Sequence, residues 1–272
     1  MDMVKKLMER VIEVGAIEIR DLSQGEEPFL YSSGNWGPGY VMIKGLVSQR
    51  PLLENILMEL SKKVYRKTGE KLDFVAGNAT GGMVPAWILA KYLERPYVYV
   101  RASRKKGGHQ DVITGDQQNV LILEGCKALV VEELVNFAET TCASAEKLRK
   151  EGYEVKYAAT ILSYDNPVAH ERLKELGVEL ICLFTLEELI DVAEATGAFS
   201  EAAVADYREF LKDPMAWQKK WDLTPQTGGT ILEFEIIDTK LYPNKPPAGQ
   251  AIVNMENVEE QLPILKKKLG IE

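Results

Sequence analysis

Two adjacent carboxylates, Glu132 and Glu133, sit inside an apolar run, Leu129-Val130-Val131 before them and Leu134-Val135 after. Carboxylates at the end of a strand can accept hydrogen bonds from vicinal sugar hydroxyls or hold Mg²⁺ through water. Neighbouring side chains on a strand point to opposite faces, so the pair suggests one group on a ligand and one oriented behind it. A solvated strand end is the plainer reading of the same two residues.

The loop that follows, Asn136-Phe137-Ala138-Glu139-Thr140-Thr141, leads toward a helix beginning near Ala143. Small and hydroxyl residues before a helix make a ready anion site, because unpaired N–H groups and the helix dipole converge there. Thr140 and Thr141 could act as N-cap or as phosphate ligands. Glu139 opposes an anion: unit charges ~4 Å apart at an effective dielectric near 20 repel by about 4 kcal/mol. Ala138 also reaches positive φ less readily than glycine. The plainer reading is that Glu139 and Thr140 cap the helix.

A third loop, Ala76-Gly77-Asn78-Ala79-Thr80-Gly81-Gly82, is glycine-rich and lets backbone N–H groups approach a ligand closely. By itself such a strand–helix turn is common. A fourth, Arg101-Ala102-Ser103-Arg104-Lys105-Lys106-Gly107-Gly108-His109, concentrates cations beside two glycines and one of the two histidines. A cationic loop beside an anion site suits a lid that closes on a polyphosphate. Read plainly, it is a solvated surface loop.

The elements that must position these loops follow from periodicity. Residues 2–14 and 51–67 carry apolar residues at helical spacing. From residue 72 short apolar runs alternate with helical patterns. Strands are expected at 72–76, 97–101, 128–132, 157–163 and 180–183, and helices at 84–94, 143–151, 168–176 and 186–195. That alternation predicts an α/β fold, a parallel sheet flanked by helices, with ligands at the carboxyl ends of its strands. Beyond residue 198 the pattern changes: a helix after Ser200, a strand at 231–237, a turn at Pro246-Pro247 and a last helix at 258–269. This tail carries no recognisable site motif and reads as a packing or dimer-contact appendage.

Composition bounds the possibilities. The 272 residues are 46% hydrophobic and 27% charged, enough for a full core without disulfide staples. The formal net charge is −8, so no basic footprint for nucleic acid exists. No apolar run approaches the ~18 residues of a membrane span. Three scattered cysteines without a CxxC point to a reduced, cytoplasmic setting. Two histidines leave little for a transition-metal site, so a hard ion on carboxylates, phosphate and water is the expected metal. The first fourteen residues lack an apolar targeting core and read as a first helix.

Taken together, the loops resemble those of the type I phosphoribosyltransferase family, most closely its orotate-specific members. The similarity covers roughly residues 1–195. Gly15-Ala16-Ile17, Pro28-Phe29 and Ser33-Gly34 are similar to the family's N-terminal hood, and Gly77–Gly82 to its pyrophosphate loop. Tyr99-Val100-Arg101 with Lys105 resembles the start of its catalytic lid, and Val130–Val135 its acidic PRPP strand.

The resemblance implies a type I phosphoribosyltransferase fold in residues 1–198, with a hood over about 1–50, a core over about 51–198, and an extension over 199–272. It implies that PRPP, with Mg²⁺, lies along the strand ends, and that the activity joins it to orotate. Glu132 and Glu133 would hold the ribose hydroxyls, and Asn136, Ala138, Thr140 and Thr141 the 5′-phosphate. Ala79, Thr80 and Gly81 would take the pyrophosphate. Lys105, Arg101 and His109 would serve as lid catalysts, reaching the neighbouring subunit's site in a homodimer. The base would lie near Ser33, Tyr40 and Val41. No metal ligand is implied on the protein directly; Mg²⁺ would be held through PRPP and water near Glu132 and Glu133.

Several positions depart from the family pattern. Asn136, Phe137, Ala138 and Glu139 stand where it has threonines and glycine, Ala102 where it has a second lysine, and Gly107 where it has a histidine. Asp165 is followed by Asn166-Pro167 rather than arginine. Two alternatives therefore stand beside orotate transfer: a PRPP- or nucleotide-binding regulatory protein that has lost catalysis, suggested by Glu139, and transfer to a different base, permitted by Asn166-Pro167.

Overall fold

The computed structural model describes residues 3–31, 33–69, 71–102, 111–117, 119–225, 229–233 and 250–254, the last two segments as backbone. Along the chain, α1 (Met3–Glu13) is followed by four short strands, β1 (Ile17–Ile19), β2 (Phe29–Leu30), β3 (Trp36–Gly37) and β4 (Gly39–Val41). Then come α2 (Arg50–Thr68), β5 (Phe74–Asn78), α3 (Met83–Leu93), β6 (Tyr97–Val100), β7 (Ile113–Thr114), β8 (Lys127–Val135), α4 (Glu139–Lys150), β9 (Glu154–Ser163), α5 (Pro167–Glu175), β10 (Glu179–Thr185) and α6 (Leu186–Thr196). The chain continues through α7 (Glu201–Lys212), α8 (Pro214–Lys220), β11 (Gly229–Glu233) and β12 (Gln250–Asn254).

The chain forms two compact units. One holds residues up to Glu18 and Val41–Ser200; the other holds Ile19–Tyr40 with the described residues from Glu201 onward.

The first unit is built on a six-stranded sheet in the order β10-β9-β8-β5-β6-β7. Five strands run parallel, and β7 pairs antiparallel to β6, Tyr99 opposite Thr114. The expected parallel sheet thus gains one antiparallel edge strand, too short to leave a periodic signal. All five residues of β5 are buried, as a central strand covered on both faces requires. Helix α2 starts with Pro51 in its first turn and stops at Gly69. It buries Leu53, Ile56, Leu57, Leu60 and Val64, the apolar positions that predicted it.

Several boundaries differ from expectation by a few residues, and two of these differences shape the site. The third parallel strand does not end at Glu132 but runs to Val135, because β9 is long enough to keep pairing: Leu134 lies opposite Leu162 and Val135 opposite Ser163. The helix after it begins at Glu139 rather than Ala143. Ala138, at φ 58° and ψ 17°, turns the chain sharply, and Cys142 N–H donates to Ala138 C=O at 2.9 Å to close the first turn.

In the second unit, residues 19–40 share a core with the C-terminal helices. The ring of Tyr207, 1% exposed, lies where a Cβ on Gly39 would stand, which explains the glycine there. Phe210 packs 6.1 Å from Tyr31 and 5.3 Å from the fully buried Trp217. Gln218 accepts from Trp36 N–H at 2.8 Å. Asp206 accepts from both Trp217 Nε1 (2.7 Å) and Trp221 Nε1 (3.1 Å), and Lys220 balances its charge at 2.9 Å. The expected strand at 231–237 appears over β11, two residues earlier, paired antiparallel with β12. The expected turn at Pro246-Pro247 and the helix at 258–269 lie outside the described residues.

Candidate active site

Chain order and sheet order part company between β5 and β8. From β5 the chain goes to β6 on one side; after β7 it returns as β8 on the other. This is a topological switch point, where the loops after two neighbouring strands diverge and open a crevice. Pairing of β5 with β8 ends at Gly77 opposite Val131. Glu132 is the next residue along β8, and it pairs only with Thr160 of β9.

Glu132 is buried and accepts two hydrogen bonds on Oε1, from Asn78 Nδ2 at 2.5 Å and from Thr140 Oγ1 at 2.6 Å. Three loops therefore meet on one carboxylate: the glycine-rich loop, the β8 strand and the first turn of α4. Burial pushes the Glu132 pKa up to about 7; the bonds from Thr140 and Asn78 work against this, while the charge and hydrogen bond of Glu133 add to it. The alternation argument separates the two glutamates by face, yet their carboxylates are close enough to interact.

Glu133 is half-buried and lies against the glycine-rich loop: a Cβ on Gly81 would overlap its carboxylate. Gly77 and Gly82 are needed for closeness rather than conformation. A Cβ on Gly77 would stand 2.7 Å from the Ala86 methyl and 2.8 Å from Gly82 C=O. One on Gly82 would overlap Val131 C=O. Ala79 N–H is held by Val100 C=O at 2.9 Å, the Ala79–Thr80 peptide is cis, and Thr80 is exposed. Asn78, 3% exposed, keeps Oδ1 without a hydrogen-bond partner. A buried acceptor left unpaired costs on the order of 1–3 kcal/mol, which a bound hydroxyl or hydrated cation would recover.

The loop between β8 and α4 departs from the expected caps. Thr140 does not cap the helix; its hydroxyl is committed to Glu132. Thr141 Oγ1 is buried without a partner, and Ala138, the N-cap, carries no side-chain acceptor. Asn136 Oδ1 accepts from Asn166 Nδ2 at 3.3 Å. Glu139 faces solvent and pairs with Arg172 of α5, Nη1 to Oε1 3.1 Å, rather than capping. Arg172 Nη1 also donates to Phe137 C=O at 2.9 Å.

Arg101, after β6, is half-buried over the Tyr99 ring, 4.9 Å from its centroid, and donates to the Tyr99 hydroxyl at 2.5 Å. Its backbone N–H bonds Val112 C=O at 2.8 Å, closing the base of the basic loop. Lys105 and His109 lie outside the described residues. Ser33 and Tyr40 belong to the second unit: Ser33 is exposed in the β2–β3 turn and accepts from Asn35 Nδ2 at 3.2 Å, and Tyr40 stacks obliquely on Phe29 at 5.5 Å. Val41, half-buried, belongs to the first.

The structure thus brings Glu132, Glu133, Gly81 and Thr140 together, and it adds residues that spacing did not single out. Asn78 was inside the glycine-rich motif but had no assigned part. Lys147 of α4 donates to the carbonyls of Arg101 (2.9 Å) and Ala102 (2.7 Å), and Arg172 braces the loop before α4. Their partners are 33 to 46 residues away, so no local pattern announces them.

Residues 47–186 match the family described as "Phosphoribosyl transferase domain", and the chain belongs to that family. Orotate phosphoribosyltransferase of Phocaeicola vulgatus is 31% identical over 214 residues, 79% of this chain and 96% of that protein. Among solved structures, orotate phosphoribosyltransferase from Aeropyrum pernix is 26% identical, with a TM-score of 0.56 over 71% of this chain and 99% of that one. The fold also matches UMP synthase of Leishmania donovani (TM-score 0.64, 22% identity); the match covers 78% of this chain and 42% of that longer one.

Proposed function

We propose that this chain transfers the ribose 5-phosphate group of PRPP to orotate, giving orotidine 5′-phosphate and pyrophosphate. The relatives carrying that name supply the substrate. The observation that carries the reading is the meeting of Glu132, Glu133, Asn78 and Gly81 at the switch point of the sheet.

In the reaction the bond from the anomeric carbon to pyrophosphate oxygen breaks, and one to a ring nitrogen of orotate forms. Positive charge grows on the ribose and negative charge on the leaving oxygen. Glu132 and Glu133 accept hydrogen bonds from the ribose hydroxyls and face the growing positive charge. The glycine-rich loop Ala79–Gly81 brings backbone up to the pyrophosphate. The first turn of α4, with its free N–H groups and the unpaired Thr141 hydroxyl, faces the 5′-phosphate. Lys105, with Arg101 and His109, stabilises the departing pyrophosphate.

The site suits Mg²⁺ carried in by PRPP. Glu132, Glu133 and the unpaired Oδ1 of Asn78 are hard oxygen donors. Among the described residues no group of three His, Cys, Asp or Glu side chains gathers as a complete metal shell, so water and substrate oxygens would supply the rest. When bound, the ion neutralises pyrophosphate charge.

The protein acts as a cytoplasmic homodimer in this reading. Support for the dimer is apolar exposure on the first unit: Val84 and Trp87 on α3, and Val120, Leu121 and Leu123 before β8. The cytoplasmic assignment agrees with three free cysteines. No helix among the described residues is long and apolar enough to cross a membrane.

The test is the reverse reaction. Orotidine 5′-phosphate, pyrophosphate and Mg²⁺ are mixed with enzyme and orotate is followed by absorbance. Turnover is expected, and Lys105→Ala is expected to lower it by at least ~10²-fold, as loss of one transition-state donor does. Absence of turnover in a folded dimer, with turnover on another base, would move the acceptor; absence with every base would leave a binding protein.

A further inference from the structure

Glu139 is a carboxylate at the mouth of a site read above as binding phosphate. A ligand-free explanation would have it cap its own helix, since acidic residues are favourable in a first turn. The structure shows otherwise: α4 has no side-chain cap, and the Glu139 carboxylate reaches across to α5. There Arg172 Nη1 lies 3.1 Å from Glu139 Oε1 and 2.9 Å from Phe137 C=O. One guanidinium nitrogen thus holds the residues on either side of Ala138, the residue whose left-handed turn starts the helix. Two further polar groups border the same turn: the buried, unpaired Thr141 hydroxyl, and Thr140, which is tied to Glu132.

We propose that Arg172 is a positioning residue for the phosphate loop. It draws the Glu139 carboxylate away from the first-turn N–H groups and cancels its charge, leaving those groups to an incoming phosphate. Glu139 and Arg172 then do together what a small neutral residue does alone, so Glu139 is expected to be tolerated only with Arg172, and Glu139→Gly alone should leave KM for PRPP within about threefold of the wild type. The inference rests on the PRPP reading, because it concerns the 5′-phosphate end of that substrate.

The pair itself is exposed, 39% for Arg172 and 72% for Glu139, so its direct contribution to stability is small. Its effect is expected in substrate affinity. Arg172→Ala should raise KM for PRPP about tenfold, the order of one partly solvent-screened charge near a phosphate, with kcat within about threefold. Adding Glu139→Gly to Arg172→Ala should bring KM back to within about threefold of the wild type. Arg172→Lys keeps the charge on a shorter side chain without the planar guanidinium, and should fall between.

The experiment is steady-state kinetics on wild type, the two single variants, the double variant and Arg172→Lys. Thermal unfolding of each keeps a folding defect apart from an affinity defect. Rescue in the double variant supports the inference. Arg172→Ala with unchanged KM, or a double variant no better than Arg172→Ala, overturns it while leaving the PRPP reading intact. Wild type without any PRPP-dependent turnover overturns both. A purely structural Arg172 would lower the unfolding temperature without moving KM, which also overturns it.

Discussion

The loop after β5 and the loop after β8 face one crevice but are built on opposite principles. The β5 loop is made by subtraction. Gly77, Gly81 and Gly82 have no side chains because Ala86, the Glu133 carboxylate and Val131 C=O already fill the space. The β8 loop is made by addition. It takes a positive-φ turn at Ala138, where glycine is the easier residue, and a charge at Glu139, and it compensates both with Arg172 from another helix. The first arrangement leaves no room for a further side chain; the second draws its support from outside the loop.

The largest effect is expected at Gly81. Gly81→Val would force the Glu133 carboxylate out of its place, and a displacement of about 1 Å at such a site costs on the order of 10²-fold in turnover. PRPP-dependent turnover that survives Gly81→Val within a few-fold would show that close approach is not what this loop supplies.

The next effect is in stability against pH. The Glu132 carboxyl holds its proton more tightly in the folded protein than in the unfolded chain, with a pKa near 7 caused chiefly by burial. The stability linked to this group is complete below the ordinary carboxyl range and is lost as pH rises through about 7. Urea unfolding of the ligand-free protein should weaken between pH 5 and pH 7.5, and Glu132→Gln should remove roughly 2 kcal/mol of that loss. Parallel pH profiles for the two proteins would refute the assignment.

The smallest effect falls on the β8 loop. Ala138→Gly removes the cost of a left-handed turn, about 1 kcal/mol, at the expense of one buried methyl. The two nearly cancel, so the unfolding free energy should change by less than about 1 kcal/mol and KM for PRPP by less than threefold. A large loss on either measure would place this loop with the β5 loop, as one that admits no change.

Much of the fold was legible because it rests on repetition. The alternation of apolar runs and helical patterns from residue 72 to 195 locates all five parallel strands, and Leu53 to Val64 locate α2. The edge strand β7 was not legible, since two residues carry no period. The ends of β8 and α4 were missed for a physical reason: pairing with β9 extends the one, and a backbone turn at an unremarkable alanine starts the other. The tail beyond residue 198 read as a helix within a packing or dimer-contact appendage; the contacts of Tyr207, Phe210 and Gln218 join it to residues 19–40 in one core.

Within the site, Glu132, Glu133 and Gly81 could be picked out because their types are unusual for their surroundings. Asn78 and Arg172 could not, since each acts through long-range bonds between ordinary residues. Glu139 was the misleading position. Its charge argues against phosphate until the guanidinium that meets it is seen.

The most direct test of the crevice as a PRPP site is calorimetric titration of the wild-type protein with PRPP, with and without Mg²⁺, beside Glu132→Ala/Glu133→Ala. The account predicts micromolar binding that needs Mg²⁺ and weakens at least about tenfold in the double variant. Binding of equal strength in both proteins, or none in the wild type, would contradict it.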